Sequence, residues 1–203
     1  MFKTLIILFF SPVVIFAEAN IAPKVEVSNL WDTCTPCHGS DGNSKDNPTI
    51  PKIAGQYNNY LYTQLKNFAQ GEKGVRDNPL MYPIAEALSE KEMTILSDYF
   101  SKQKYEYLEA ENRSDIKVGQ RIYKGGILDK KIIACSACHG PSGQGNEPGN
   151  IPKIGGQHAE YLATQLKSYR EGTRSHGMMT RISQKLSDQE IDAVSNYLQG
   201  LRN

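Results

Sequence analysis

One long pattern occurs twice in the sequence, and this repeat constrains the fold more than any other feature. A shift of 101 positions aligns residues 34–66 with residues 135–167, including the identical stretches IPKI and TQLK. Further along, the shift falls to 98 positions, because the second copy has three fewer loop residues before Met179, the counterpart of Met81. Self-similarity over this length predicts two copies of one domain in tandem.

The repeat divides the chain into three parts. Residues 1–19 form an N-terminal segment, residues 20–107 the first domain and residues 108–203 the second domain. The boundary is expected within residues 101–115, a polar stretch without Gly or Pro that we expect to lie extended against the surface.

The periodicity of apolar residues is helical throughout both copies. Residues 57–70 carry Leu and Phe at helical spacing before Gly71, and residues 114–124 predict the first helix of the second copy. Ser89 and Ser187 each precede a Glu by three residues, which is the sequence of a capping box at a helix N-terminus. No stretch alternates as a strand, so the predicted fold class is all-α.

Each copy carries the motif C-x-x-C-H, at residues 34–38 and 135–139. Two thiols about one helical turn apart can add to the two vinyl groups of a haem, and the adjacent His can then bind the iron. A thioredoxin-like pair would require a β-α-β pattern, disulfides this local would stabilise little, and zinc would require a repeated fourth ligand. The motifs therefore favour two covalently bound haem c groups.

The second axial ligand of each iron decides whether the site is open or closed. Met81 and Met179 are equivalent in the repeat, and each lies before the last helix of its copy. Met178, His176 and His158 have no equivalent Met or His in the first copy, so they are expected to be surface or packing residues. Met81 and Met179 are the predicted ligands.

Two further pairs of equivalent residues could contact the haem or its histidine ligand. The carbonyl oxygens of Pro51 and Pro152 are candidates to accept a hydrogen bond from the iron-binding histidines, which would fix the imidazole orientation. Tyr60 and Tyr161 could either contact a haem carboxylate or pack in the core.

The N-terminal residues indicate where the protein is located, and the net charge limits what it binds. Lys3, an apolar run and the residues Ala17-Glu18-Ala19 have the order of a secretory signal that is cleaved after Ala19. The net charge of +1 gives no electrostatic case for nucleic acid. Residues 20–107 have 9 basic and 11 acidic side chains, and residues 108–203 have 13 and 10, so the two copies differ in sign, −2 against +3.

The motifs together resemble the cytochrome c4 family of periplasmic dihaem cytochromes, which consist of two tandem cytochrome c-like domains. The resemblance rests on CTPCHGSDGNS and CSACHGPSGQGNE, and on the repeated stretches that begin with IPKI and with the Met residues. It implies one haem per domain. The implied haem-binding residues are Cys34, Cys37, His38 and Met81 in the first domain, and Cys135, Cys138, His139 and Met179 in the second, with His38, Met81, His139 and Met179 as axial iron ligands.

The resemblance also implies a function in electron transfer. The chain would carry electrons in the periplasm between a quinol–cytochrome c oxidoreductase and a terminal oxidase. It would be a monomer and not an enzyme, and the sequence does not decide whether it associates with the membrane surface. An alternative is the haem subunit of a flavocytochrome c sulfide dehydrogenase. A dihaem peroxidase is less favoured, because it requires a haem that opens to peroxide, whereas both copies keep an equivalent Met.

Overall fold

The structure is a computed structural model that describes residues 27–111 and 114–202. The predicted signal segment, residues 1–19, lies outside the described residues. Regular structure in the described part is helical, and extended backbone pairs only as isolated bridges. Of the helices described, none is long and apolar enough to cross a membrane.

The first repeat is a series of short and medium helices. In chain order these are a 3-10 helix at Val27–Thr33, α1 (Thr35–His38), α2 (Asn58–Phe68), a 3-10 turn at Gly71–Lys73, α3 (Tyr82–Glu86) and α4 (Glu90–Ser101).

The second repeat follows the same order with a longer first helix. Its elements are α5 (Ile116–Gly125), a 3-10 turn at Leu128–Lys130, α6 (Ser136–His139), α7 (Ala159–Glu171), α8 (Gly177–Ser183) and α9 (Asp188–Gln199). The helices predicted over 57–70 and 114–124 are thus present with slightly different ends.

The capping boxes predicted at the last helix of each copy are confirmed. The Ser89 hydroxyl accepts a hydrogen bond from the Glu92 backbone N–H, and the Glu92 carboxylate accepts one from Ser89 N. Ser187 and Glu190 form the same pair in α9. These bonds satisfy backbone donors that a helix N-terminus otherwise leaves unpaired.

The core of the first domain lies between α4, α2 and the 3-10 helix. Leu30, Leu96 and Phe100 are buried there. Trp31 stacks on Tyr99 with ring centroids 4.5 Å apart and planes 7° apart. The 3-10 helix thereby packs against the last helix of the domain, as α5 does in the second repeat.

The core of the second domain is built on the crossing of α5 and α9. Tyr123 and Val194 are almost fully buried at this crossing. The two backbones come so close that a Cβ on Gly119 would lie 2.0 Å from the carbonyl oxygen of Ala193. Only glycine fits this contact.

The segment between the domains lies against the surface, as predicted, and the structure adds that it is hydrogen-bonded to both domains. The Asn43 side chain donates to Lys104 O (3.0 Å) and accepts from Glu106 N (2.9 Å). Further along, Gln199 Nε2 donates to Glu109 O (2.8 Å). The connection therefore lies against both domains in its described residues.

The two domains meet through a reciprocal pair of glutamine contacts. Gln157 of the second domain accepts from Lys52 N (2.9 Å) and donates to Lys52 O (2.8 Å). Gln56 of the first domain makes the equivalent bonds to Lys153 N (3.0 Å) and Lys153 O (2.9 Å). The interface therefore has an approximate twofold symmetry that follows from the repeat.

The ammonium group of Lys52 is buried in this interface. Its Nζ donates to Glu106 O and to Gly156 O, the latter at 3.1 Å. Burial lowers the pKa of Lys52 from 10.5 to about 8. Since the folded state then releases this proton at lower pH than the unfolded chain, we expect the free energy of unfolding to rise between about pH 8 and pH 10.

Urea unfolding at a series of pH values measures this effect. Lys52→Met should make the rise shallower, while Lys91→Met, on the exposed side of α4, should leave it unchanged. A wild-type protein whose stability is flat or falls over this range would contradict the prediction.

Candidate functional site

The four cysteines lie at the two ends of the short helices α1 and α6. None of the four forms a disulfide; Cys34 and Cys135 are partly buried, whereas Cys37 and Cys138 are exposed. Burial raises the pKa of both Cys34 and Cys135 to about 11, so these thiols stay protonated at neutral pH. This is the opposite of the lowered pKa that activates a thioredoxin-like cysteine.

The backbone turns sharply after each C-x-x-C-H motif. Gly39 and Gly140 have φ angles of 81° and 77°, in the region that favours glycine. The N–H of Gly39 bonds to Thr35 O (2.9 Å) and that of Gly140 to Ser136 O (3.0 Å). The turn ends each short helix at its histidine and directs the chain into the following loop.

Each motif histidine is buried and oriented by a proline carbonyl. His38 Nδ1 donates to Pro51 O (2.9 Å), and His139 Nδ1 donates to Pro152 O (3.1 Å). Burial lowers the pKa of both imidazoles, so they are neutral at pH 7. The predicted hydrogen bonds are confirmed, and they leave each Nε2 available for a metal.

The repeated methionines differ from their neighbours in exposure. Met81 directly precedes α3 and Met179 lies in α8, and both side chains are partly buried. Leu80 and Met178, the residues just before them, are 72% and 43% exposed. Of the two adjacent methionines in the second domain, Met179 is therefore the less exposed.

The competing histidines have structural roles in the described part of the chain. His176 is exposed, and its Nδ1 accepts a hydrogen bond from Met179 N (3.5 Å) at the start of α8. His158 is buried, and its Nε2 donates to Ser44 O of the first domain (2.9 Å). These positions agree with the prediction that both are surface or packing residues.

The donor set of each domain fits a covalently attached haem. In each domain two cysteines about one turn apart, not joined to each other, precede a buried neutral imidazole, and a partly buried methionine lies further along the chain. In residues 27–111 and 114–202, no group of three or more His, Cys, Asp or Glu side chains is arranged to hold a bare metal ion.

Known proteins share both the sequence and the fold. The sequence model of the family described as cytochrome c matches residues 25–104 and 116–202. The cytochrome c4 of Stutzerimonas stutzeri is 40% identical in an alignment of 178 residues, with 83% of this chain and 84% of that protein covered. The chain belongs to the cytochrome c4 family. A crystal structure of reduced recombinant cytochrome c4 from Pseudomonas stutzeri superimposes with a TM-score of 0.81 at 38% identity, over 85% of this chain and 95% of that one.

Membership of the cytochrome c4 family establishes the cofactor and the general role. The chain is all-α, with two tandem cytochrome c-like domains, and carries two covalently bound haem c groups. It is an electron-transfer protein whose partners are redox proteins. A further relative, named thiosulfate dehydrogenase electron acceptor, from Stutzerimonas stutzeri, is 36% identical over 81% of this chain and 76% of its own length.

The sequence alone does not identify the polar residues that join the two domains of this chain. Gln56 and Gln157 were recognised only as part of the repeated motif, and Arg76 and Arg174 were not considered. These arginines are equivalent under the shift of 98 positions. That equivalence is the feature of the sequence that marks both arginines as candidates, because a charged residue at the same position of both copies indicates the same role in each.

Proposed function

We propose that the chain carries single electrons in the periplasm, from a quinol–cytochrome c oxidoreductase to a terminal oxidase. In this proposal Cys34 and Cys37 attach the first haem, and His38 and Met81 bind its iron. Cys135 and Cys138 attach the second haem, with His139 and Met179 as axial ligands. In the same proposal, residues 1–19 are a signal peptide for secretion, residues 20–107 and 108–203 are the two domains, and the chain is a monomer.

The observation that best supports the proposal is that each domain combines an imidazole oriented by a proline carbonyl with a repeated, partly buried methionine. The bound haem supplies a one-electron couple between ferric and ferrous iron. With a haem bound, the histidine and the methionine of each domain would both bind the iron, which would leave no open position for a substrate. The proline carbonyls fix the imidazoles, and burial around them excludes water.

An optical redox titration of the purified protein tests the haem-site assignment. Two haems per chain, a thioether-to-iron charge-transfer band in the ferric protein and no binding of carbon monoxide at neutral pH are expected. Carbon monoxide binding to both reduced haems would overturn the closed-site proposal.

The opposite charges of the two domains predict salt-dependent partner binding. Electron transfer from a quinol–cytochrome c oxidoreductase should slow as ionic strength rises, by about tenfold or more between low and high salt, because oriented charges speed encounter. Stopped-flow kinetics at a series of salt concentrations measure this rate, with an uncharged reductant as control. A rate independent of ionic strength would contradict charge-steered docking.

A second candidate function is acceptance of electrons from a thiosulfate dehydrogenase or a similar sulfur-compound dehydrogenase. The similarity to the thiosulfate dehydrogenase electron acceptor favours it. The structure of a thiosulfate dehydrogenase from Marichromatium purpuratum also superimposes with a TM-score of 0.72 at 28% identity, over 82% of this chain and 36% of that one. The test is the rate at which each donor reduces this protein: the thiosulfate dehydrogenase, a flavoprotein sulfide dehydrogenase and the quinol-oxidising complex. Faster reduction by either dehydrogenase than by the quinol-oxidising complex would favour that alternative over the first proposal.

A further inference from the structure

One peptide group of the first domain is hydrogen-bonded at both of its ends. Its carbonyl, that of Pro51, accepts the hydrogen bond from His38 Nδ1 (2.9 Å). Its N–H, that of Lys52, donates to Oε1 of Gln157 in the second domain (2.9 Å). We call this path, from the imidazole through the peptide to the glutamine, a peptide relay. It connects the histidine of one domain to a side chain of the other.

The second domain contains the same relay in the opposite direction. Pro152 O accepts the hydrogen bond from His139 Nδ1 (3.1 Å). The N–H of the same peptide group, that of Lys153, donates to Oε1 of Gln56 in the first domain (3.0 Å). Each histidine that follows the cysteines is therefore connected to a glutamine of the opposite domain through one peptide group.

The two glutamine side chains are buried and held in one orientation. Gln157 is 5% exposed and Gln56 is 8% exposed. Each Oε1 also accepts from the next backbone N–H of its own domain, that of His158 or Tyr57 (both 3.0 Å). Each Nε2 donates to a lysine carbonyl across the interface. The reverse orientation of the amide would place its NH2 group against two N–H donors, so the oxygen is the atom that takes part in the relay.

We propose that Gln157 sets the redox potential of the iron bound by His38, and that Gln56 does so for the iron bound by His139. This inference rests on the proposed function, in which the two histidines are axial ligands. The glutamines act through a peptide group and contact neither the haem nor the iron, so they are positioning residues. Each domain thereby adjusts the iron of the other.

The direction of the effect follows from the polarisation of hydrogen bonds in series. A peptide whose N–H is bonded to an amide oxygen has a more negative carbonyl oxygen, which accepts the imidazole N–H more strongly. A stronger bond at Nδ1 makes the imidazole a more basic ligand. Since ferric iron carries more positive charge than ferrous iron, a more basic ligand stabilises the ferric state. Each glutamine therefore lowers the midpoint potential of the haem in the opposite domain.

Redox titration of the holoprotein variants Gln157→Leu and Gln56→Leu tests this assignment. Leucine removes the acceptor, so Gln157→Leu should raise the potential of the first haem and leave the second unchanged, and Gln56→Leu should do the reverse. The ratio of ferric to ferrous iron at a fixed potential should fall by about threefold, less than the roughly tenfold or larger cost of losing a direct partner of a metal ligand. A threefold change corresponds to about 30 mV for one electron.

The control variant Asn59→Leu removes a different bond between the domains. Asn59 Nδ2 donates to Glu147 O (2.7 Å), a peptide group that does not hold a histidine. Both potentials should stay at their wild-type values in this variant. A shift of the second haem, of both haems equally or of neither in Gln157→Leu would overturn the crossed relay. An equal shift in Asn59→Leu would assign the effect to a loosened interface instead.

The proton on Nδ1 of each histidine gives a second readout, which does not depend on the potential. In the reduced holoprotein with isotope-labelled histidine, a stronger hydrogen bond moves the NMR signal of this proton downfield. The His38 signal should move upfield in Gln157→Leu. In Gln157→Glu, which keeps an acceptor oxygen, it should stay at its wild-type position or move downfield. An unchanged signal in the leucine variant, or an upfield shift in the glutamate variant, would contradict the relay.

The proposed haem sites are checked separately from the relay. Haem content and the optical spectrum of each variant are measured before its potentials. A protein without two haems, or without the thioether-to-iron band, would contradict the proposed function. Two normal haems whose potentials and histidine signals do not respond to the glutamines would contradict the relay alone.

Discussion

Replacing Met179 with alanine is expected to lower the midpoint potential of the second haem and to let carbon monoxide bind its reduced iron. A thioether ligand favours the ferrous state and closes the site, so its removal reverses both effects. The change in potential should be a sizeable part of the roughly 0.8 V range over which axial ligands set haem potentials. Redox titration resolves the affected haem, because the first haem keeps Met81.

The neighbouring methionine supplies a matched control. Met178 is 43% exposed and Met179 is partly buried, although they are adjacent in sequence. Met178→Ala should leave both potentials and the closed state unchanged. A drop in potential with Met178→Ala, or a wild-type potential with Met179→Ala, would show that the ligand is assigned wrongly.

Replacing Gly119 with alanine should destabilise the second domain by about 3 kcal/mol, at the upper end of the cost of overpacking. The added methyl group would meet the carbonyl group of Ala193, which is rigid α9 backbone and cannot move aside as a side chain could. The helices would have to separate, and the contacts around Tyr123 and Val194 would loosen with them.

Gly125, at the end of the same helix, is the control for this change. A Cβ at Gly125 would have no atom within 4 Å. Gly125→Ala should therefore be neutral or stabilise by up to about 1 kcal/mol, through helix propensity and a less flexible unfolded chain. Urea unfolding of the holoproteins compares the two. Equal stability of both variants would mean that α5 and α9 do not cross at Gly119.

The sequence predicted what is local or repeated and did not predict what depends on the two copies together. The helix that begins after Ser89 and the bond from His38 to Pro51 involve residues near in sequence or bound to a motif of known chemistry. The contact of Gln157 with Lys52 joins residues 105 positions apart. No periodicity encodes such a pairing, because it depends on how two folded surfaces fit.

For the same reason, the sequence does not predict the burial of Arg76 and Arg174. Arg76 has the sequence of an ordinary loop charge, but it is buried and donates hydrogen bonds to Tyr161 and Gln165 of the second domain. Equivalence with Arg174 indicates that the position matters, but not that the two side chains meet. The proposed axial ligands are easier to predict, since each position depends on the chemistry of its own domain alone.

The reciprocal glutamine contacts have a consequence for the origin of the molecule. An interface in which the same patch is used on both sides is isologous, the geometry of a C2 homodimer. A single domain with this patch would pair with a second copy of itself, and the tandem repeat joins two such domains in one chain. Covalent fusion then removes the dependence on concentration, so that both redox centres stay together however dilute the protein becomes.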